Sequence, residues 1–104
     1  MKRALFAPVV VVGIVGAALP AFADQALAAA KNCLACHSVE KKIVGPSYME
    51  VAAKYAGQKD AVDKLTAKII KGGAGVWGSI PMPANTHVSD AEARKLASWV
   101  LSQK

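Results

Sequence analysis

Cys33-Leu34-Ala35-Cys36-His37 constrains this chain more than any other stretch of it. Two thiols stand about one helical turn apart, and an imidazole follows directly. They are the only cysteines in 104 residues. A thioredoxin-like redox pair would want a βαβ setting, and strand signals are poor along the whole chain. A structural zinc site needs about four ligands. Outside the motif only His87 adds a nitrogen donor, and Cys36 and His37 are too close to take good tetrahedral positions. A disulfide between Cys33 and Cys36 would close a very small loop and stabilise little.

One chemistry fits all three side chains. C-x-x-C-H is the attachment signature of c-type haem. Thiols one turn apart reach the two vinyl groups on one haem edge, and each forms a thioether. His37 is then held beneath the iron, where its imidazole nitrogen becomes an axial ligand.

Haem is attached outside the cytoplasm, and the start of the chain reads as an export signal. Met1-Lys2-Arg3 is basic, Ala4 to Phe22 is uncharged, and Ala21-Phe22-Ala23 offers small residues where a signal peptidase acts. The apolar run approaches the ~20 residues that span a bilayer, but Pro8, Gly13, Gly16 and Pro20 weaken a spanning helix. The expectation is a cleaved secretory signal over 1–23 and one domain of 81 residues over 24–104, delivered to the periplasm. Loss of Lys2 and Arg3 takes the formal charge from +6 to +4. The overall hydrophobic content of 54% is inflated by the leader and does not indicate a membrane protein. A domain this small buries a limited core and often needs a staple, which the haem would supply.

The rest of the domain reads as helical. Asp24 can cap a first helix through the alanine-rich stretch toward Cys33. Ser47 can cap a second over 48–55, ending at Gly57. Asp60 can cap a third, with Val62, Leu65 and Ile69 at helical spacing before Gly72-Gly73. Ser89-Asp90-Ala91-Glu92 is a capping box, with Val88 placed to pack on Ala93 as a staple. Leu96, Ala97, Val100 and Leu101 then form an apolar face. Between the last two helices, 72–86 holds four glycines and two prolines. A stretch this long without regular structure is usually functional. Helices around a central group, with a stiff loop closing over it, are the expected architecture.

The second axial position has three candidates in the domain: Met49, Met82 and His87. Ligands on opposite faces of a haem need a chain excursion long enough to go around it. Met49 lies 12 residues after His37 on an expected helix and reads as a packing residue. His87 reads as a surface residue before the last helix cap. Met82 lies 45 residues after His37 within Ile80-Pro81-Met82-Pro83. Prolines on both sides stiffen the backbone and fix the direction of the side chain. Methionine opposite histidine is also a ligand set that raises the reduction potential.

Cys33 to Tyr55, Gly75 to Asn85 and Ala97 to Lys104 together resemble the short monohaem class I bacterial cytochromes c, of the c-551 type. The resemblance covers essentially all of 24–104, and the Met82 loop is its most specific part. It implies an all-α class I cytochrome c fold, with four or five short helices wrapped around one covalently attached haem. It also implies periplasmic electron transfer, with redox partners such as a nitrite reductase, a terminal oxidase, a peroxidase or a cytochrome bc-type donor. By position, Pro46 would offer the carbonyl that accepts the N–H of His37, which orients the ring and raises its basicity. Trp77 would donate its indole N–H to a haem propionate, and Asn85 would lie near the methionine sulfur. Ala84 departs from the family pattern, where a second proline often follows Met82-Pro83. Thr86-His87 lengthens the approach to Ser89.

The leading functional expectation is a one-electron carrier that is not an enzyme, since six-coordinate iron leaves no site for substrate. A small peroxidase-like or gas-binding haem protein would need a labile sixth position. A sensor or a subunit of a larger complex is the third reading. Lys41 and Lys42 follow the haem motif closely and would steer the protein toward an acidic partner. Most other lysines read as solubilising. Nucleic-acid binding is not expected, because no motif for it occurs.

Overall fold

The computed structural model describes Pro8 and residues 20–104. The leader expected over 1–23 lies outside the described residues, apart from Pro8 and the backbone of 20–23. Four α-helices and no named strand make up the described residues: α1 (Pro20–Ala30), α2 (Tyr48–Tyr55), α3 (Ala61–Lys71) and α4 (Asp90–Leu101). A single 3₁₀ turn, Cys33–Ala35, carries the start of the haem motif. No helix among the described residues is long and apolar enough to cross a membrane.

Helix α4 is the spine. Ala93, Leu96, Ala97 and Val100 repeat at helical spacing and are buried, and Trp99 joins them. Full burial of a side chain such as Leu96 or Val100 stabilises by about 1.5–3 kcal/mol. The helix packs against α1, α2 and, most broadly, α3. Its start is the expected capping box: the Ser89 hydroxyl accepts from the Glu92 amide at 3.1 Å, and the Glu92 carboxylate accepts from the Ser89 amide at 3.0 Å. Val88 and Ala93 are both buried in the same core. Arg94 bridges from α4 to Asp63 of α3 at 2.8 Å and to Asp90 at 3.0 Å.

The second helix also starts as expected, with the Ser47 hydroxyl accepting from the Glu50 amide at 3.1 Å. Two starts differ from the sequence expectation. Asp60 stands at the N-cap of α3 but makes no side-chain cap bond. Its carboxylate instead meets Lys64 at 3.5 Å, one turn into the helix. Helix α1 begins at Pro20, and Asp24 lies within it rather than capping it. Proline suits the first helical position because its missing N–H would be unpaired there anyway. The alanine-rich sequence beyond it favours continuation.

The long loop after α3 is irregular as expected, but it is not loose. The Gly73 amide donates to the Met82 carbonyl at 3.0 Å, and the Met82 amide donates back to the Gly73 carbonyl at 2.7 Å. This isolated bridge pinches 74–81 into a closed loop.

Candidate haem site

The haem motif begins where α1 is forced to stop. Asn32 takes a left-handed conformation, φ 65° and ψ 17°, which asparagine tolerates better than most residues. The chain then tightens so that the Cys33 carbonyl accepts from both the Cys36 amide at 3.2 Å and the His37 amide at 3.0 Å. Both cysteines are free and half-buried. Burial pushes the Cys33 thiol up, partly offset by a hydrogen bond at its own backbone. A thioredoxin-like pair would want a βαβ setting, and the described residues form helices with no named strand. No cluster of three or more His, Cys, Asp or Glu side chains fit to hold a metal ion occurs among the described residues, and a structural zinc site has too few donors.

The imidazole of His37 is the best-fixed group in the site. Its Nδ1 lies 2.8 Å from the Pro46 carbonyl oxygen. A carbonyl can only accept, so Nδ1 carries the proton. In the neutral ring Nε2 then keeps its lone pair, the state a metal ligand requires. Gly45 presses on the same ring: a Cβ at that position would stand 2.5 Å from Cε1 and 2.8 Å from Nδ1. Tyr48 stacks on the imidazole with centroids 5.1 Å apart and planes 22° apart.

His37 opens onto a cavity of about 380 Å3, and so do Cys36, Pro46, Tyr48, Trp77 and Met82. The two expected axial ligands therefore share one cavity, reached from segments 45 residues apart. Its mouth is apolar. Ile43, Val44, Val76, Trp77 and Ile80 are the large exposed apolar residues of the described structure, Ile80 at 67% and Ile43 at 55%. All five line this cavity. Clustered exposed apolar surface marks a binding site, and a flat apolar group seated here would cover it. The residues present fit a haem: the Cys36 thiol at one edge with Cys33 one turn before it, a nitrogen donor with a fixed tautomer, a thioether, and apolar walls.

The remaining expected residues fall as follows. Cys33 packs against the edge of the core and does not line the cavity. Trp77 lies on the cavity rim, with the Lys54 ammonium 5.2 Å from its ring centre. Asn85 does not line the cavity. Its side-chain amide donates to the Ile69 carbonyl at 2.9 Å and approaches the Pro83 carbonyl at 3.5 Å, so it ties the loop to the end of α3. Met49 does not line the cavity either. His87 is cross-linked elsewhere: its Nε2 lies 3.2 Å from the Lys31 carbonyl, while the Lys31 ammonium donates to the His87 carbonyl at 3.3 Å. Lys42 lines the cavity, and Lys41 lines a shallower recess beside it. Sequence reasoning missed Gly45 and Tyr48. Their positions beside the haem motif and Pro46 gave the only available signal.

Comparison with known proteins identifies the family. Residues 24–104 match the family model described as Cytochrome c. The chain is 58% identical over 93 residues to cytochrome c-552 of Hydrogenobacter thermophilus, covering 89% of this chain and 94% of that protein. It is 52% identical over 81 residues to cytochrome c-551 of Allochromatium vinosum, covering 78% of this chain and 86% of that protein. The crystal structure of wild-type cytochrome c552 from Nitrosomonas europaea superposes with a TM-score of 0.76 at 54% identity, over 77% of this chain and 99% of that one.

Proposed function

The chain belongs to the cytochrome c family, and from that premise we propose a periplasmic one-electron carrier with histidine and methionine as its axial ligands. Membership carries three statements with it: an all-α class I fold, one covalently attached c-type haem, and electron transfer rather than enzyme catalysis. When bound, the haem supplies a reversible one-electron couple.

Residue by residue, Cys33 and Cys36 would form the thioethers, and His37 through Nε2 and Met82 through its sulfur would hold the iron. Pro46 holds the imidazole tautomer. Trp77, on the cavity rim, would donate its indole N–H to a propionate, and Asn85 holds the methionine loop to α3. The single observation that carries this reading is that His37, with Nδ1 committed to Pro46, and Met82 line the same apolar cavity. A proline-framed methionine also argues against the peroxidase-like and gas-binding alternatives, which need a labile sixth position.

Residues 1–23 are proposed as the cleaved leader. The family match starting at residue 24 supports that boundary. Cleavage there would remove the first turn of α1 and leave Asp24 at the helix start, where its charge favours the helix dipole. The partners are proposed to be respiratory or denitrifying redox proteins, including a nitrite reductase, a terminal oxidase, a peroxidase or a cytochrome bc-type donor. Adding imidazole to the ferric protein tests the ligand assignment. Millimolar imidazole should leave the absorption spectrum nearly unchanged, and ready formation of an imidazole adduct would favour the open-site alternative.

A further inference from the structure

We infer that Tyr48 is a positioning residue for the proximal ligand: its ring fixes the rotation of the His37 imidazole, and α4 fixes Tyr48 through Trp99. The inference rests on the proposed role of His37 as an iron ligand. A single hydrogen bond cannot define a ring plane. The 2.8 Å bond from Nδ1 to the Pro46 carbonyl locates one atom, but the ring can still swing about that line at little cost, because carbonyl acceptors tolerate a broad range of directions. A flat partner removes that freedom. The Tyr48 ring lies 5.1 Å from the imidazole centre and only 22° from its plane, and the absent Cβ of Gly45 lets backbone close on the same ring.

Tyr48 is in turn held. It is 5% exposed, and its ring meets the edge of Trp99 at 5.2 Å and 72°. Trp99 is itself 4% exposed within α4. Packing at native density allows such rings few alternative rotamers. The orientation of the imidazole is thus transmitted from the helical core, through Trp99 and Tyr48. A leucine at position 48 would keep an apolar core contact and lose the flat face. A phenylalanine would keep the face and lose only the hydroxyl.

The plane of an axial imidazole, together with the orientation of the methionine sulfur opposite it, sets the order and spread of the paramagnetically shifted haem methyl resonances in the ferric state. Proton NMR of the holoprotein, with the methionine unchanged, therefore reads the proposed effect. Tyr48→Phe should keep the wild-type order of the four methyl resonances. Tyr48→Leu should reorder them or narrow their spread while the sulfur–iron absorption persists. An unchanged methyl pattern in folded Tyr48→Leu would overturn the inference, and so would a change in Tyr48→Phe as large as that in Tyr48→Leu. If Tyr48→Leu fails to accumulate, cross-relaxation between Tyr48 and His37 ring protons in the wild-type protein decides, and its absence would overturn the stacking. Failure of the underlying reading looks different: the strongly shifted imidazole protons would not belong to His37 in any variant.

Discussion

The backbones of Gly73 and Met82 exchange two hydrogen bonds, at 3.0 and 2.7 Å, across the neck of an otherwise irregular loop. This pairing places the thioether by backbone geometry, with the flanking prolines limiting what remains. Asn85 anchors the far side, where its backbone and side-chain amides both donate to carbonyls at the end of α3.

Gly72 makes that pairing sterically feasible. It has φ 71° and ψ −166°, a region essentially restricted to glycine, where other residues cost about 1–3 kcal/mol. A Cβ there would also collide with the Met82 carbonyl oxygen. Gly72→Ala should lower stability in urea unfolding by at least that amount and raise the affinity of the ferric protein for added imidazole. Unchanged values for both would show that the neck does not hold the loop.

Haem attachment should complete the fold. The cavity is apolar with five large exposed apolar residues at its mouth, and a domain this size has little surplus stability. Anything that binds only the folded state adds to its stability. Cys33→Ala combined with Cys36→Ala should give a largely unfolded product by circular dichroism at 25 °C. A cooperative melt of that variant near the holoprotein's midpoint would contradict it.

Acid should loosen the start of α4. The Glu92 carboxyl is held below its usual value of 4.5, chiefly by the hydrogen bond from the Ser89 amide, with the Ser89 hydroxyl and Lys31 adding to the effect. A carboxyl whose pKa is lower when folded contributes stability that is fully present above its unfolded value. That contribution is lost as pH falls through the folded one. Midpoints measured downward from about pH 5 should therefore fall less steeply in Glu92→Gln than in the wild type. Ser89→Ala should cost about 1 kcal/mol at neutral pH and leave the visible spectrum unchanged.

Lys41 and Lys42 border the cavity and its neighbouring recess. Charge around a docking surface mainly raises the association rate, and about 0.1 M salt shortens its reach to about 10 Å. Electron transfer to an acidic redox partner, followed by stopped flow, should slow severalfold as salt rises. Lys41→Glu with Lys42→Glu should slow it at low salt without moving the reduction potential. A flat salt response with unchanged mutant rates would leave the two lysines as solvating groups.

Much of this was legible in the chain because local signals carried it. The Ser47 cap and the Ser89 capping box hold at the expected residues, since each depends on side chains within one turn. Other features depended on distant partners. Asp60 faces Lys64 instead of its helix amides. The Gly73–Met82 bridge joins residues that no local pattern pairs, and the Tyr48 stack joins His37 to a residue that the sequence places only within the second helix. Asn85 illustrates the same limit: its position was notable in sequence, but its acceptor on α3 emerges only from the fold.

Ligation by Met82 is the central claim, and near-infrared-edge absorption of the ferric protein tests it most directly. The wild type should show the weak sulfur–iron charge-transfer band. Met49→Leu should retain it, because Met49 does not line the cavity. Met82→Ala should abolish the band and lower the reduction potential. Persistence of the band in Met82→Ala, or its loss in Met49→Leu, would contradict the account.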